Sequence, residues 1–380
     1  VTAQVSNGTW SLLREACLVA AEQQQGAIET DLMLIGLANC LPVFRDILGP
    51  TPGNVWDPGV RPPWTPSRVG LPPEAELAVS RALRETHWKQ FGWAQAGAPA
   101  WSEEAVETVR YAMALAVARD APWMGLDHLL EALLADPATA ASHYARRWGV
   151  DLDALTEIAE RIWPTPGGQP PRRALVRSLS QVGVLTADGE DEERRSAPRK
   201  QRLWAGAAKL VMQTGPALGY LEYEATAEAV RSGHDRATPA HLLSAVILFE
   251  EELAASDLSP RSEYRVACDA VLLPLGLDPV AARLALAAMT PEGDIASPER
   301  RRSWRTNPKN PQWTVAAARA AEAARHLPFP GTAHPAGSAH LLYAVLSDPD
   351  DAGCRLLREV SVDPAAVLGV LAHRLGEKPT

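Results

Sequence analysis

Four related stretches constrain the fold of this chain more than any other feature. Asp127 to Leu134 reads DHLLEALL, Ala240 to Ile247 reads AHLLSAVI, Ala339 to Leu346 reads AHLLYAVL, and a degenerate version, DLMLIGLA, runs from Asp31 to Ala38. A pattern that returns at long spacing marks duplication of one supersecondary unit. The copies begin 96, 113 and 99 residues apart. The longer middle gap divides them into two pairs, each pair one domain.

The flanking sequence places each copy on a helix. Trp10, Leu13, Cys17 and Ala20 recur at intervals of three and four, the spacing of one helical face, and predict a first helix from Trp10 to Gln24. Thr30 stands where a side-chain oxygen can cap the helix of the first copy. A short third helix is expected over 41–48. Glu74 to Gln90 and Ser102 to Arg119 also read as helices, the latter with Glu103 and Glu104 in the first turn, where carboxylates favour the positive end of the helix dipole. After the second copy, Gly149 ends one helix and Asp151 caps the next. The Gly276/Asp278 turn and the Ser361-Val362-Asp363 turn repeat that punctuation. In the second half, helices are predicted around Tyr220 to Gly233 and over Thr314 to His326, with Thr238-Pro239 and Ser338 as the starts of the last two copies. No strand pattern stands out. The expected fold is all-α, two pseudo-twofold helical domains, each a duplicated four-helix unit. The expected boundaries are 1–163 for the first domain, 164–200 for a linker rich in proline, glycine and charge, and 201–380 for the second.

Composition narrows the class. Without ~18 consecutive apolar residues there is no candidate membrane span. The amino terminus lacks the basic and apolar runs of a secretory leader, so a cytoplasmic protein is expected. A net charge of -9 argues against nucleic acid as the main partner, since neutralising phosphates needs a basic face. The one arginine run, Arg300 to Arg302 with Arg305, reads as a solvated loop. Cys17, Cys40, Cys268 and Cys354 fall singly, the pattern of buried unpaired thiols rather than of a metal or redox motif. His128, His241 and His340 occupy one place in three copies, which argues for a shared packing or hydrogen-bonding role; no metal and no cofactor is expected. Arginine outnumbers lysine 32 to 5, a usage associated with GC-rich, actinobacterial genomes.

Long helix, short loop, acid-His-Leu-Leu helix, short helix and aspartate-capped closing helix, twice per domain, resembles the Clp amino-terminal (Clp-N repeat) domain of the ClpC type. Met124-Gly125-Leu126-Asp127-His128-Leu129-Leu130 is similar to that family's signature. The chain carries no phosphate-binding loop, so the resemblance implies two double-repeat domains in tandem without the ATPase modules: a stand-alone recognition module and not an unfoldase. It also implies a ligand site at the acid of the signature, Asp31 with Thr30 in one repeat and Asp127 in the other, where a carboxylate can hold an arginine-like guanidinium. Ala240 and Ala339 replace the acid in the second domain. Domains of this kind bind cyclic peptide antibiotics on the face of the first helix, which brings in Trp10. The function implied is a binder of a peptide, a cyclic peptide antibiotic, or a Clp substrate or adaptor, acting as a decoy in resistance or as an adaptor to a Clp unfoldase or protease.

Nine of the twelve tryptophans lie in the first half, which suits a peptide surface, since indoles combine apolar area with a polar handle. Trp123, immediately before the second copy, and Trp56 and Trp64, in the proline-rich stretch Pro50 to Pro73, are the candidates. The alternative is the same scaffold repurposed as an enzyme of specialised metabolism, with an aspartate as acid or base in an apolar pocket. The chain has no Gly-x-Ser-x-Gly elbow, no His-Glu-x-x-His and no dinucleotide glycine loop.

Overall fold

The motif helices are buried around most of their circumference, and this decides the architecture. A computed structural model describes residues 4–48, 64–65, 69–147, 149–163, 170–171, 173–187, 216–296, 307–327 and 335–376. Among them the chain forms seventeen α-helices, one short 3-10 helix and six strands of two or three residues, an all-α fold. It separates into two units, 1–172 and 173–380.

The first unit contains α1 (Asn7–Glu22), α2 (Thr30–Cys40), α3 (Pro42–Leu48), α4 (Pro73–Phe91), α5 (Glu103–Ala118), α6 (Leu126–Ala135), α7 (Ala140–Arg147) and α8 (Leu152–Ile162), with β1 (Ala27–Ile28) and β2 (Ala100–Trp101). Ser6 and Ser102 begin α1 and α5 by accepting the amides of Thr9 and Ala105 at 3.1 Å each. Every residue of α2 from Thr30 to Ala38 is buried, as expected of a helix that is apolar all round. It lies against α1 so closely that a Cβ on Gly36 would stand 3.1 Å from the Leu12 carbonyl.

Two reciprocal parallel pairings tie the halves of this unit together. Ile28, just before α2, pairs with Trp101, just before α5. Val5, just before α1, pairs with Met124, just before α6. Each satisfies backbone groups that a buried loop would otherwise strand. Two-residue strands leave no periodicity, which is why the sequence gives no sign of them.

The second unit contains α9 (Ala174–Gln181), α10 (Pro216–Ser232), α11 (Pro239–Ala254), α12 (Arg265–Cys268), α13 (Pro279–Ala288), α14 (Val315–His326), α15 (Ser338–Leu346), α16 (Ala352–Glu359) and α17 (Pro364–Gly376). Its strands are β3 (Leu185–Ala187), β4 (Arg236–Ala237), β5 (Leu258–Pro260) and β6 (Gln312–Trp313). β4 and β6 are parallel, with Ala237 opposite Trp313, while β3 and β5 are antiparallel. In all four cases the long helix packs on the motif helix that follows it: α1 on α2, α5 on α6, α10 on α11 and α14 on α15.

The expected linker is corrected in part. Leu175, Val176, Leu179, Val184 and Leu185 are buried in the second core, and α9 and β3 belong to that unit. The apolar spacing of Ala174 to Leu179 was masked by the surrounding proline and charge. Residues 188–215, the arginine run at 300–305 and most of the proline-rich stretch, Trp56 included, lie outside the described residues. No described helix is long and apolar enough to cross a membrane.

The histidines explain the motif. Each occupies the third position of its helix and turns its Nδ1 back to the amide of the residue preceding the helix: His128 to Gly125 at 3.2 Å, His241 to Thr238 at 2.9 Å, His340 to Gly337 at 3.3 Å. This is the return half of a capping box, with imidazole in place of the usual carboxylate or amide. Thr238 is itself the residue preceding α11, as expected, but α15 is preceded by Gly337. Ser338 lies inside the helix and donates to the Ala267 carbonyl at 3.3 Å.

Gly337 is required by contact, since a Cβ there would stand 2.5 Å from the Ala267 carbonyl oxygen and 2.5 Å from Cys268 Sγ. Gly369, inside α17, has nothing within 4 Å of the same atom. Urea denaturation of Gly337→Ala should show a loss of about 1–3 kcal/mol from overpacking, and Gly369→Ala a gain of about 0.5–1 kcal/mol from helix entropy. Equal effects at the two positions would contradict this packing.

Candidate functional site

The signature residues of the first unit are committed to the fold. Thr30 is fully buried and does not cap α2, whose preceding residue is Glu29. Its hydroxyl donates to the Glu104 carboxylate and accepts from the Ala141 amide at 2.9 Å, while Glu104 also accepts from the Ala140 amide at 2.8 Å. One buried carboxylate thus joins the starts of α2, α5 and α7, where helix dipoles favour it. The expectation of a local cap failed because the receiving partner lies 74 residues away.

Asp31 is 2% exposed, with Oδ1 2.9 Å from the Leu32 amide. Burial pushes the Tyr144 phenol above its ordinary value, and the Asp31 charge adds to the effect. Asp127 sits at the start of α6, its Oδ1 3.1 Å from His128 Nδ1. That nitrogen can accept from the Gly125 amide or, protonated, donate to Asp127; one atom cannot do both. The alanines at 240 and 339 remove this competitor from the second unit.

Of the tryptophans singled out, Trp10 on α1 and Trp123 before α6 are each half-buried, and Trp64 lines a cavity of its own. The structure instead gathers Trp88, Trp93 and Trp101 around a cleft of about 460 Å³. α4 supplies one wall: Ser80, Leu83, Arg84, His87 and Trp88 follow the three-and-four spacing of one helical face. Gly92, at φ 88°, ends α4 in a conformation other residues avoid and turns Trp93 back toward the same space. β2 supplies the opposite side, and Trp101 Nε1 donates to the Leu83 carbonyl at 3.1 Å.

The cleft is apolar with a few polar groups at its margin. Burial holds the His87 imidazole below its ordinary value, and its Nε2 donates to the Pro99 carbonyl at 3.0 Å. Near neutrality it is therefore uncharged. Lys89 Nζ stands 4.5 Å from the centre of the Trp88 ring, a cation-π contact. The arrangement can receive a large apolar side chain. Three tryptophans within fourteen residues, 88 to 101, were the available sequence signal; their convergence depends on the turn at Gly92, which hydropathy does not encode.

The second unit uses its buried carboxylates structurally. Glu222 pairs with Arg325 in the interior, and Arg231 bridges Glu224 and Glu228, the latter at 2.6 Å. Glu250 accepts the amides of Val271, Leu272 and Leu273, and Glu252 accepts that of Val176 at 2.9 Å. Burial pushes the thiols of Cys17 and Cys268 up to about 12, so these are inert at neutral pH. Among the described residues no group of three or more His, Cys, Asp or Glu side chains is placed to hold a metal ion.

Burial raises the Glu252 carboxyl to about 7, the Val176 amide opposing and Glu224 reinforcing. A carboxyl with a raised folded pKa takes up protons on folding, so its contribution favours the fold at low pH and is lost as pH rises from 4.5 through about 7. The stability of Glu252→Gln relative to the parent should grow across that window in denaturation at a series of pH values; a pH-independent difference would contradict it. Against known proteins, no family profile, no curated protein and no solved structure matches the chain.

Proposed function

We propose that this chain is a binding module of the Clp amino-terminal type, two double-repeat domains in tandem, whose first domain recognises a peptide, linear or cyclic, through a large apolar side chain. The observation that carries the reading is the three-indole cleft of about 460 Å³ between α4, β2 and α5. Clefts of roughly 300–1,000 Å³ lined by aromatic side chains with a few polar groups are the usual form of small-ligand sites, and tryptophan is enriched among the residues that dominate binding energy. The four pairings of a long helix with a motif helix are consistent with duplication of one unit. In this reading the protein sequesters a cyclic peptide antibiotic or carries proteins to a Clp unfoldase or protease.

The test is calorimetry of the full chain with a Clp-directed cyclic peptide and with a linear peptide bearing a central tryptophan. At least one should bind, and Trp93→Ala, half-buried at the cleft, should weaken it by about tenfold or more, as expected for an aromatic anchor. Silence toward both in folded protein, or affinity unchanged in Trp93→Ala, would overturn the proposal.

A further inference from the structure

A second cavity in the first unit, of about 330 Å³, has a different chemistry. α5 contributes Glu107, Thr108 and Tyr111, the end of α6 contributes Ala132 and Ala135, the following turn contributes Asp136, Pro137 and Thr139, and Trp64 adds a ring. Val106 lines the tryptophan cleft and Glu107, the next residue, lines this one. The two sites therefore share a helix but not their walls.

Glu107 is only 8% exposed, yet its Oε2 has no hydrogen-bond partner among the described residues. Its ion-pair partner, Arg110, does not supply that hydrogen bond. Arg110 Nε stands 3.7 Å away, beyond hydrogen-bond reach, while Arg110 Nη2 is drawn to Glu76 Oε2 at 3.1 Å and to the Val69 carbonyl at 3.1 Å. Asp136 accepts the Ala138 amide at 2.8 Å through Oδ1 and lines the cavity at the end of α6. Tyr111 is 37% exposed and Trp64 half-buried, both with ring surface available to the cavity.

A buried carboxylate oxygen that lacks a hydrogen bond costs free energy even with a cation nearby. Beside two aromatic side chains, its complement is a positive group with a soft, weakly hydrated surface, which both the rings and the carboxylates attract. The volume is at the small end of the range for ligand sites, room for one head group or one side chain. We infer that this cavity is a binding site for an organic cation, a quaternary ammonium or a guanidinium, held by Glu107 and Asp136 between Trp64 and Tyr111. The inference is independent of the peptide reading of the tryptophan cleft.

The test is calorimetry of the full chain with choline and with Nα-acetyl-arginine amide, each against a neutral analogue: 3,3-dimethylbutanol for choline and Nα-acetyl-norleucine amide for the arginine. At least one cation should bind saturably, at least about tenfold more tightly than its neutral analogue, the discrimination expected of a charge-assisted contact. Binding of choline would assign the site to a free ammonium compound, binding of the arginine amide to a peptide side chain. Glu107→Gln, which keeps the shape and removes the charge, should abolish most of the affinity, and Trp64→Ala should weaken it. Trp93→Ala should leave it unchanged, so that loss of the peptide site and loss of this one are told apart. Circular dichroism confirms the fold of each variant. No saturable binding by either cation, equal binding by the neutral analogues, or affinity unaffected by both Glu107→Gln and Trp64→Ala would overturn the inference.

Discussion

The amide that precedes each buried helix needs an acceptor where water cannot supply one, and in three of the four motif copies that acceptor is a histidine Nδ1. The imidazoles of His128, His241 and His340 are 0%, 1% and 4% exposed. At such depth an unsatisfied amide costs about 1–3 kcal/mol. At His241 and His340 the bond also fixes the proton: a nitrogen that accepts cannot carry one, so the hydrogen moves to Nε2. In the second unit this propagates, because His241 Nε2 then donates to His234 Nδ1 at 2.9 Å and sets the tautomer of that ring as well. With the helix start pinned, the leucines that follow are aimed into the core.

This changes what the acid of the motif means. Aspartate in the first domain and alanine in the second could be read purely as a ligand-binding difference. Asp127 also competes for the nitrogen that caps its own helix, and Ala240 and Ala339 take that carboxylate out of the second unit, where the Thr238 hydroxyl instead lies 2.9 Å from His241 Nδ1. Asp31 follows another course, buried beside Tyr144 in a copy where Leu32 replaces the histidine. We place binding in the first unit at the two cavities flanking α5, lined by tryptophan rings and by the buried Glu107.

How much of this was legible in the sequence depended on how local each cause is. Helix positions followed from apolar spacing, and the turns at Gly149, Asp278 and Asp363 from residues that act within three positions of themselves: Asp151, Asp278 and Asp363 each accept a nearby amide. Thr30 and Ser338 were misjudged because their hydroxyls reach Glu104 and Ala267 across the fold. The tryptophan cleft was visible only as a local excess of indoles. Glu107 gave no signal at all, since a carboxylate in an amphipathic helix reads as solvated until the chain around it is folded.

The tautomer of the motif histidines decides whether they cap their helices, and long-range nitrogen–proton correlation spectra of the imidazoles read it directly. His241 and His340 should appear as the Nε2–H form, with Nδ1 as acceptor, while His128 should show the influence of Asp127 on the same nitrogen. A protonated Nδ1 at His241 and His340 would contradict the capping role, and with it the explanation offered for why the motif recurs.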